Sequence, residues 1–272
     1  MPERQYTEEE IKEDVKSFFT DLNHWAFDYG TPTPLCGPDS PYHRKQIEVI
    51  FESEYPHWAT NRAVNALIDE GFLRQRVVQI PNLELYFVYR RGIRYIARAI
   101  NQRSELVRRY SDPSVSEATG DQAEIWFLFL FKSNSFDVVG RNTKEYRGIQ
   151  WTKTEHDLDF IVEKDGISYG VEVKNTLPYM EDDEFNIKVE MCEYFGIRSL
   201  FALRYAPYSQ IERVAGQLGL ILIFKSKIFP PGHQHLVTNI WNFMRLPVSV
   251  WKDFPPKLER IFLSYHDRCI KE

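Results

Sequence analysis

The chain has 272 residues, of which 43% are hydrophobic and 27% charged, and its net charge is -5. A chain of this size can bury one large or two modest cores, which excludes disorder as its main state. Its first residues are highly charged, and it has no apolar run of about 18 residues, so we expect a cytoplasmic protein without a membrane segment. Cys36, Cys192 and Cys269 lie far apart, which fits neither a disulfide framework nor a zinc site.

The charge is unevenly distributed along the chain. An acidic total argues against a nucleic-acid partner, because phosphate binding draws on a basic surface. Residues 42–110, however, hold twelve Lys and Arg and seven Asp and Glu, a local net charge of +5. DNA therefore remains a candidate partner, with this basic segment as its contact region.

The first predicted element is a helix over 7–29. Its apolar residues recur at intervals of three and four, from Ile11 to Trp25. Thr7 and Glu10 form the pattern of a capping box at its start. A loop rich in proline and glycine follows over 30–41, and we place the first domain boundary at its end.

The next segment, 42–113, predicts a helix-turn-helix followed by a hairpin. The helices are expected over 43–54 and 60–70 and the strands over 72–80 and 85–89. This order resembles an α+β winged-helix domain, in which the hairpin is the wing. Some domains of this kind bind proteins or only pack, and that alternative stays open.

The winged-helix resemblance implies how DNA would be held. The second helix, capped by Thr60 or Asn61, would enter the major groove, and wing arginines would reach phosphate. The residues expected to contact DNA are Arg44, Lys45, Thr60, Asn61, Arg62, Asn65, Arg74 and Arg76.

The rest of the chain, 114–272, predicts a second domain. A helix over 90–110 and a polar linker over 111–121 should connect it to the first. Helices and strands alternate in it, which indicates an α/β fold with a mixed sheet flanked by helices. The predicted helices cover 121–132, 182–195, 209–217, 236–244 and 256–268, and the strands cover 136–141, 157–162, 167–174, 200–205, 220–224 and 247–251.

The most informative stretch of this domain runs from His156 to Lys174. Asp165-Gly166 lies between two apolar-rich runs and is the preferred loop of a type I′ hairpin. In that register Asp159 faces Glu172 and Asp157 faces Lys174, with Cβ atoms about 5 Å apart. All four would share one face of the sheet.

The opposite face of the same hairpin is apolar. It would carry Leu158, Phe160, Val162, Tyr169, Val171 and Val173. A slip of one residue would bury the charges and expose these side chains, so the register should be well specified.

Two carboxylates this close repel each other unless a cation joins them. A hard divalent ion such as Mg²⁺ binds through one or two carboxylates, with water and substrate phosphate completing its shell. Asp159 and Glu172 are therefore candidate ligands for Mg²⁺, with Mn²⁺ as a substitute, and the Lys174 ammonium could stabilise developing charge.

Asp159 followed by Glu172-Val173-Lys174 is similar to the signature of the PD-(D/E)xK nuclease superfamily. The resemblance covers roughly residues 114–225 and implies a restriction-endonuclease-like core. It implies that Asp159, Glu172 and the backbone carbonyl of Val173 hold the metal and that Lys174 is the catalytic lysine. It also implies that Glu124, on the first core helix, is a supporting carboxylate. Leu158 stands where the family often has proline.

Some of these residues also have simpler interpretations. Asp157 could be an accessory ligand or only an ion-pair partner of Lys174. Glu124 could belong to an acidic first turn of its helix. Asn175, Lys188 and Glu190 follow the motif and could contact DNA or metal, but the solvated face that helix 182–195 needs would account for these charges.

The sequence thus predicts a divalent-metal-dependent DNA endonuclease in restriction, defence or DNA repair, with DNA docked by the winged helix. A homodimer would supply the two sites that cutting both strands requires. Two alternatives stay open: a non-catalytic DNA-binding regulator on a nuclease-like scaffold, and a nuclease subunit that is active only with a partner protein.

Overall fold

The computed structural model describes residues 6–23, 33, 36–81 and 83–271. Contacts divide the chain into two units. Unit 1 is Met1–Ser116 with Gly232–Val248, and unit 2 is Glu117–Pro231 with Ser249–Glu272. The segment 232–248, which the sequence assigned to the second domain, thus packs with the first unit.

Unit 1 combines helices with a small antiparallel sheet. Its strands are ordered β1-β3-β2, and Ile80 pairs with Leu83 across the predicted hairpin turn. The elements are α1 (Glu8–Phe18), β1 (Tyr42–His43), α2 (Arg44–Ile50), α3 (His57–Asp69), β2 (Leu73–Ile80), β3 (Leu83–Arg90), α4 (Ile96–Tyr110) and α8 (Gln234–Met244).

The start of α1 is as the sequence predicts. The Thr7 hydroxyl accepts the N–H of Glu10, and the apolar face of the helix is buried at Ile11, Val15 and Phe18. The helix ends at Phe18, earlier than predicted, and Trp25 lies outside the described residues.

Helix α3 begins three residues before the predicted start. Pro56 takes the position before its first turn, so Thr60 lies inside the helix instead of capping it. Its side chain is fully buried, since this face of α3 packs into the core of unit 1.

The polar linker predicted over 111–121 is wrong. These residues begin α5 (Pro113–Ser133), a helix of 21 residues. The Asp112 carboxylate accepts the N–H of Ser114 at 3.1 Å, and Pro113 suits a first helical turn because its missing N–H is not needed there. Within the described part of the chain, no helix is long and apolar enough to cross a membrane.

Unit 2 is built on a mixed five-stranded sheet and has an α/β fold. The strand order is β10-β9-β8-β7-β4; β8, β9 and β10 run parallel, and β7 is antiparallel to both of its neighbours. The elements after α5 are β4 (Asp137–Thr143), β5 (Glu145–Tyr146), β6 (Ile149–Gln150), β7 (Leu158–Lys164), β8 (Ile167–Lys174), α6 (Asp182–Phe195), β9 (Arg198–Leu203), α7 (Tyr208–Gly216), β10 (Leu220–Ile223), β11 (Lys227–Ile228) and α9 (Pro256–Cys269). The short strand β12 (Val248–Ser249) spans the boundary in sequence between the two units.

Helices cover both faces of this sheet. On one face α5 and α9 pack against the predicted apolar residues Phe160, Val162, Tyr169, Val171 and Val173. On the other face α6 and α7 pack against residues of β9 such as Phe201 and Leu203. Glu172 and Lys174 have their ion-pair partners on α6, so these two motif residues lie on the α6 side of the sheet.

The β7–β8 hairpin has the predicted register. Lys164 pairs with Ile167 and Phe160 with Val171. Asp165 and Gly166 both have positive φ, at 51° and 79°, as a type I′ turn requires. The turn and the register are thus as predicted from Phe160 to Val171, and the four charged motif residues lie just outside this paired stretch.

Candidate active site

The motif residues lie where β7 begins and β8 ends. The regular pairing of the two strands stops at Phe160 and Val171, so the predicted direct pairs of Asp159 with Glu172 and of Asp157 with Lys174 are not formed. Instead the Asp159 carboxylate accepts the backbone N–H of Val173 at 2.6 Å. This bond replaces a ladder hydrogen bond and fixes the carboxylate beside β8.

The same irregularity changes the position of Leu158. The sequence placed it in the apolar face with Phe160, but it packs with Ile161, Met191 and Cys192 on the α6 side. Strict alternation fails here because the strand leaves the ladder at Asp159.

Glu172 is the most strongly perturbed acid of the site. Its side chain is only 6% exposed. Burial, and then the nearby negative charge of Asp159, raise the pKa of Glu172 to about 8, against the lowering effect of Lys188. A buried carboxylate of this kind strongly favours a cation beside it.

Two further carboxylates share this electrostatic environment. The pKa of Asp159 is raised, mainly by burial, although the Val173 N–H and Lys188 oppose the shift. The pKa of Glu124 on α5 is also raised, by burial and then by the charge of Asp159, while Arg141 at 3.9 Å opposes it. Glu124 is therefore near enough to Asp159 for the charge of that residue to act on it.

Lys174, the motif lysine, has a partner on α6. Its Nζ lies 2.6 Å from Oε1 of Glu184, and both side chains are partly exposed. Glu184 is in the first turn of α6, so this ion pair ties the end of β8 to the start of that helix.

Lys188 is a site residue that the sequence analysis missed. It was assigned to the solvated face of its helix, yet only 4% of the residue is exposed. Its Nζ lies 2.6 Å from Oε2 of Glu172, with the distance of an ion pair although not the angles of a hydrogen bond. It also donates to the carbonyl of Asp157 and lies 3.9 Å from the Oδ1 of that residue. Asp157 therefore faces Lys188 and not Lys174.

Helical periodicity could have found Lys188. It shares the buried stripe of its helix with four apolar residues, Phe185, Val189, Met191 and Cys192. A lysine in the apolar stripe of a helix needs a buried partner, so its position predicts a contact with a buried oxygen although not with which one.

Asn175 connects this site to α5. Its Nδ2 donates to the carbonyls of Thr119 at 2.6 Å and Ile228 at 2.8 Å, and its Oδ1 accepts the N–H of Ile228. Because Thr119 and Glu124 are on the same helix, this side chain sets the distance between the Glu124 carboxylate and β8.

Two carboxylates of the site are candidate ligands for a divalent cation. Asp159 and Glu172 offer carboxylate oxygens in a partly dry environment, and the Val173 carbonyl is adjacent in sequence. Within the described residues, no group of three or more His, Cys, Asp and Glu side chains is arranged to hold a metal. A bound Mg²⁺ would have to complete its shell with water, backbone or substrate oxygens, as this ion commonly does.

The residues predicted to contact DNA lie in unit 1, and three of them form a network. The Arg44 guanidinium donates to Oδ1 of Asn61, to Oδ1 of Asn65 at 2.6 Å and to Oε1 of Gln75 at 3.0 Å. The network joins α2, α3 and β2 and fixes the polar face of α3. Thr60 is not part of this surface: with its side chain fully buried it is not available to a base.

The other predicted contacts are exposed. Arg74 and Arg76 lie on β2, an edge strand of the sheet of unit 1. Lys45 pairs with Glu48 at 3.0 Å, and Arg62 pairs with Glu8 while it covers the ring of Trp58 at 5.2 Å. The Arg62–Glu8 pair is exposed on both sides, and such a pair exchanges partners at low cost, whereas Glu48 is buried.

Comparisons of the chain with family models, with curated proteins and with solved structures gave no match.

Proposed function

We propose that the protein is a divalent-metal-dependent DNA endonuclease with its active site at the end of the β7–β8 hairpin. One observation carries the proposal: the Asp159 carboxylate, held by the Val173 N–H, and the Glu172 carboxylate, buried beside Lys188, lie at the strand ends that also carry Lys174. Burial raises the pKa of both carboxylates. Perturbed acids beside fixed cations are typical of sites that handle phosphate chemistry.

In this proposal Asp159 and Glu172 would hold Mg²⁺ or Mn²⁺, together with the Val173 carbonyl. When bound, the ion would polarise a phosphoryl oxygen and lower the pKa of a bound water. The Val173 N–H orients the Asp159 carboxylate. The side chains of Lys174 and Glu184 are both partly exposed. In this proposal the ammonium contacts a phosphate oxygen and the carboxylate accepts a proton from water.

We propose that unit 1 docks the DNA. The polar face of α3 with Asn61 and Asn65 would contact base edges, and Arg74 and Arg76 on β2 would contact phosphate. The support is the order of elements, two helices followed by a hairpin whose strand β3 pairs with β1, in the basic segment of the chain.

The test of catalysis is cleavage of supercoiled, linear and single-stranded DNA with Mg²⁺, Mn²⁺ or EDTA. We expect metal-dependent cutting that falls at least about 100-fold in Glu172→Ala and in Lys174→Ala, because each variant removes a group that acts on the transition state. Glu190→Gln is the matched control, since Glu190 is on α6 but pairs with the exposed Lys153. Equal loss in the control would point to damage of α6 instead.

The test of docking is the salt dependence of binding to a short duplex in EDTA. The slope of log K against log salt is negative for a protein that neutralises phosphates. If Arg74 and Arg76 each neutralise one, this slope should be less steep by about 2 in the double alanine variant. Arg260→Ala, on α9, is the control and should leave the slope unchanged. An unchanged slope in the double variant would remove the wing from the interface.

A second candidate function is that of a non-catalytic DNA-binding protein. It is favoured by the two ion pairs that already neutralise the site, Lys188 with Glu172 and Lys174 with Glu184. Metal binding and DNA binding without cleavage under any condition would select it, and cleavage regained on adding a partner protein would select a partner-dependent nuclease.

A further inference from the structure

The Lys188 ammonium lies inside a set of three oxygen atoms, which we call the oxygen cage. The set consists of Oε2 of Glu172 at 2.6 Å, Oδ1 of Asp157 at 3.9 Å, and the backbone carbonyl of Asp157, to which Lys188 donates. Two carboxylates and a carbonyl around one point are the donors that hard cations take in proteins. The cage is therefore a cation position, and a side chain of the protein occupies it.

This arrangement is unusual for a lysine. Moving an ammonium out of water costs several kcal/mol, and a single buried ion pair often fails to offset that cost. Lys188 is 4% exposed and extends from the apolar stripe of α6. Glu172 meanwhile has two charged neighbours, since it faces the Lys188 ammonium and the negative charge of Asp159 also acts on it. A residue kept there against its desolvation cost has a use in the site.

We propose that Lys188 is a built-in second cation, which limits the site to one divalent ion held by Asp159 and Glu172. This inference rests on the proposed function, because it takes Asp159 and Glu172 as metal ligands. Lys188 is a positioning residue in this scheme: it fills the oxygen cage and directs Glu172, and the mobile ion is left on the Asp159 side. The fixed charge also removes the need for a second ion from solution.

The proposal makes a specific claim about the alanine variant. Lys188→Ala empties the cage and leaves Glu172 and Asp157 without their ammonium. Two carboxylates and a carbonyl then face an opened space, and a second divalent ion can enter it. A purely structural ion pair predicts instead a loss of stability with no extra metal.

The experiment is a count of bound Mn²⁺ per chain, by calorimetric titration and by electron paramagnetic resonance, on metal-free full-length protein without DNA. We expect one Mn²⁺ in the wild type, two in Lys188→Ala, and one in Lys188→Arg, which keeps the charge. Lys188→Ala combined with Asp157→Asn should return to one, because the cage loses a charged ligand. The control is Lys153→Ala, which removes an exposed lysine from the Lys153–Glu190 pair and should bind one.

Circular dichroism shows whether each variant is folded, and Lys188→Ser replaces Lys188→Ala if the latter is not. One ion in the folded small-residue variants overturns the inference and leaves the metal site standing. Two ions in the wild type also overturn it. No ion in the wild type removes the metal site of the proposed function and the inference with it, so the two failures are distinct.

Discussion

Single residues of this protein show how one side chain can answer to both stability and chemistry. Glu172 is buried beside Asp159 and Lys188, and its raised pKa means that the folded state holds its proton more tightly than the unfolded chain does. Stabilising the fold and presenting a charged ligand therefore conflict at this residue. A bound divalent ion would resolve the conflict by favouring the ionised form.

The pH dependence of stability tests this conflict. Between pH 4.5 and about 8 the folded, metal-free protein binds more protons at Glu172 than the unfolded chain. The free energy of unfolding should therefore fall as pH rises through that window, by at most roughly 5 kcal/mol, and level off above it.

Denaturant unfolding in EDTA across this pH range is the measurement, with Glu172→Gln as the comparison. The glutamine variant cannot titrate, so its stability should be flatter over the same window. A wild-type curve parallel to that of the variant would mean that Glu172 keeps an ordinary pKa in the fold.

At the scale of elements, the close approach of α6 to the sheet decides the geometry of the site. It depends on Gly170 in β8, where an added Cβ would lie 2.5 Å from Sγ of Cys192 and 2.9 Å from Leu158. Only a residue without a side chain lets the helix lie this near. Both Glu184 and Lys188 reach the motif from α6, so their positions follow from that glycine.

Gly170→Ala should therefore act on stability and on the site together. Overpacking at this contact should lower the free energy of unfolding by about 2 kcal/mol, and the displaced helix should weaken Mn²⁺ binding. Urea unfolding and Mn²⁺ titration measure the two effects. Adding Cys192→Ala removes the nearest clash and should recover part of both, whereas a loss that the second change leaves untouched would exclude this contact as the cause.

At the scale of the whole molecule, the two units interleave along the chain. Helix α8 packs with α4 in unit 1, although more than a hundred residues separate them in sequence. The buried side chains Leu236, Ile240 and Met244 belong to this contact region, and the Met244 carbonyl accepts from Gln46 at 2.6 Å. Cutting the chain at the 116/117 boundary would thus leave unit 1 incomplete.

A fragment test follows from this interleaving. Residues 1–116 alone should unfold at lower urea than the same residues joined to 232–248 by a Gly-Ser linker. The free energies of unfolding of the two proteins should differ by about 5 kcal/mol, because the three apolar side chains of α8 are buried again in the joined protein. Circular dichroism measures both transitions, and equal stability would mean that α8 contributes little to unit 1.

The sequence by itself determined the local features that short-range physics controls. Asp165-Gly166 specifies the type I′ turn, the turn specifies the register of β7 and β8, and alternation then places Phe160 and Val162 on the same buried face as Tyr169 and Val171. The bounds of β8 and of α6 were also predictable, since each has a strong periodic pattern with clear ends.

Elsewhere the predicted boundaries were wrong, because helix starts at other nearby residues and burial against the core override the local composition. The polar segment before Asp121 reads as a linker, but a cap at Asp112 and burial of Thr119 and Ala123 make it helical. Thr60 is of a residue type that often caps helices, but the helix begins earlier, after Pro56, and Thr60 is buried in the core of unit 1.

Only the tertiary structure could decide what Lys188 does and where Asp159 points. Pairing rules assume a regular ladder of hydrogen bonds. The β7–β8 ladder stops at Phe160, the residue next to Asp159, because the Asp159 carboxylate accepts the N–H of Val173. Lys188 meets Glu172 across the packing of α6 on β8, a contact that sequence spacing does not encode. The residue types of the site can thus be predicted from the sequence, but the ion-pair partner of each charged side chain depends on how closely α6 packs on the sheet.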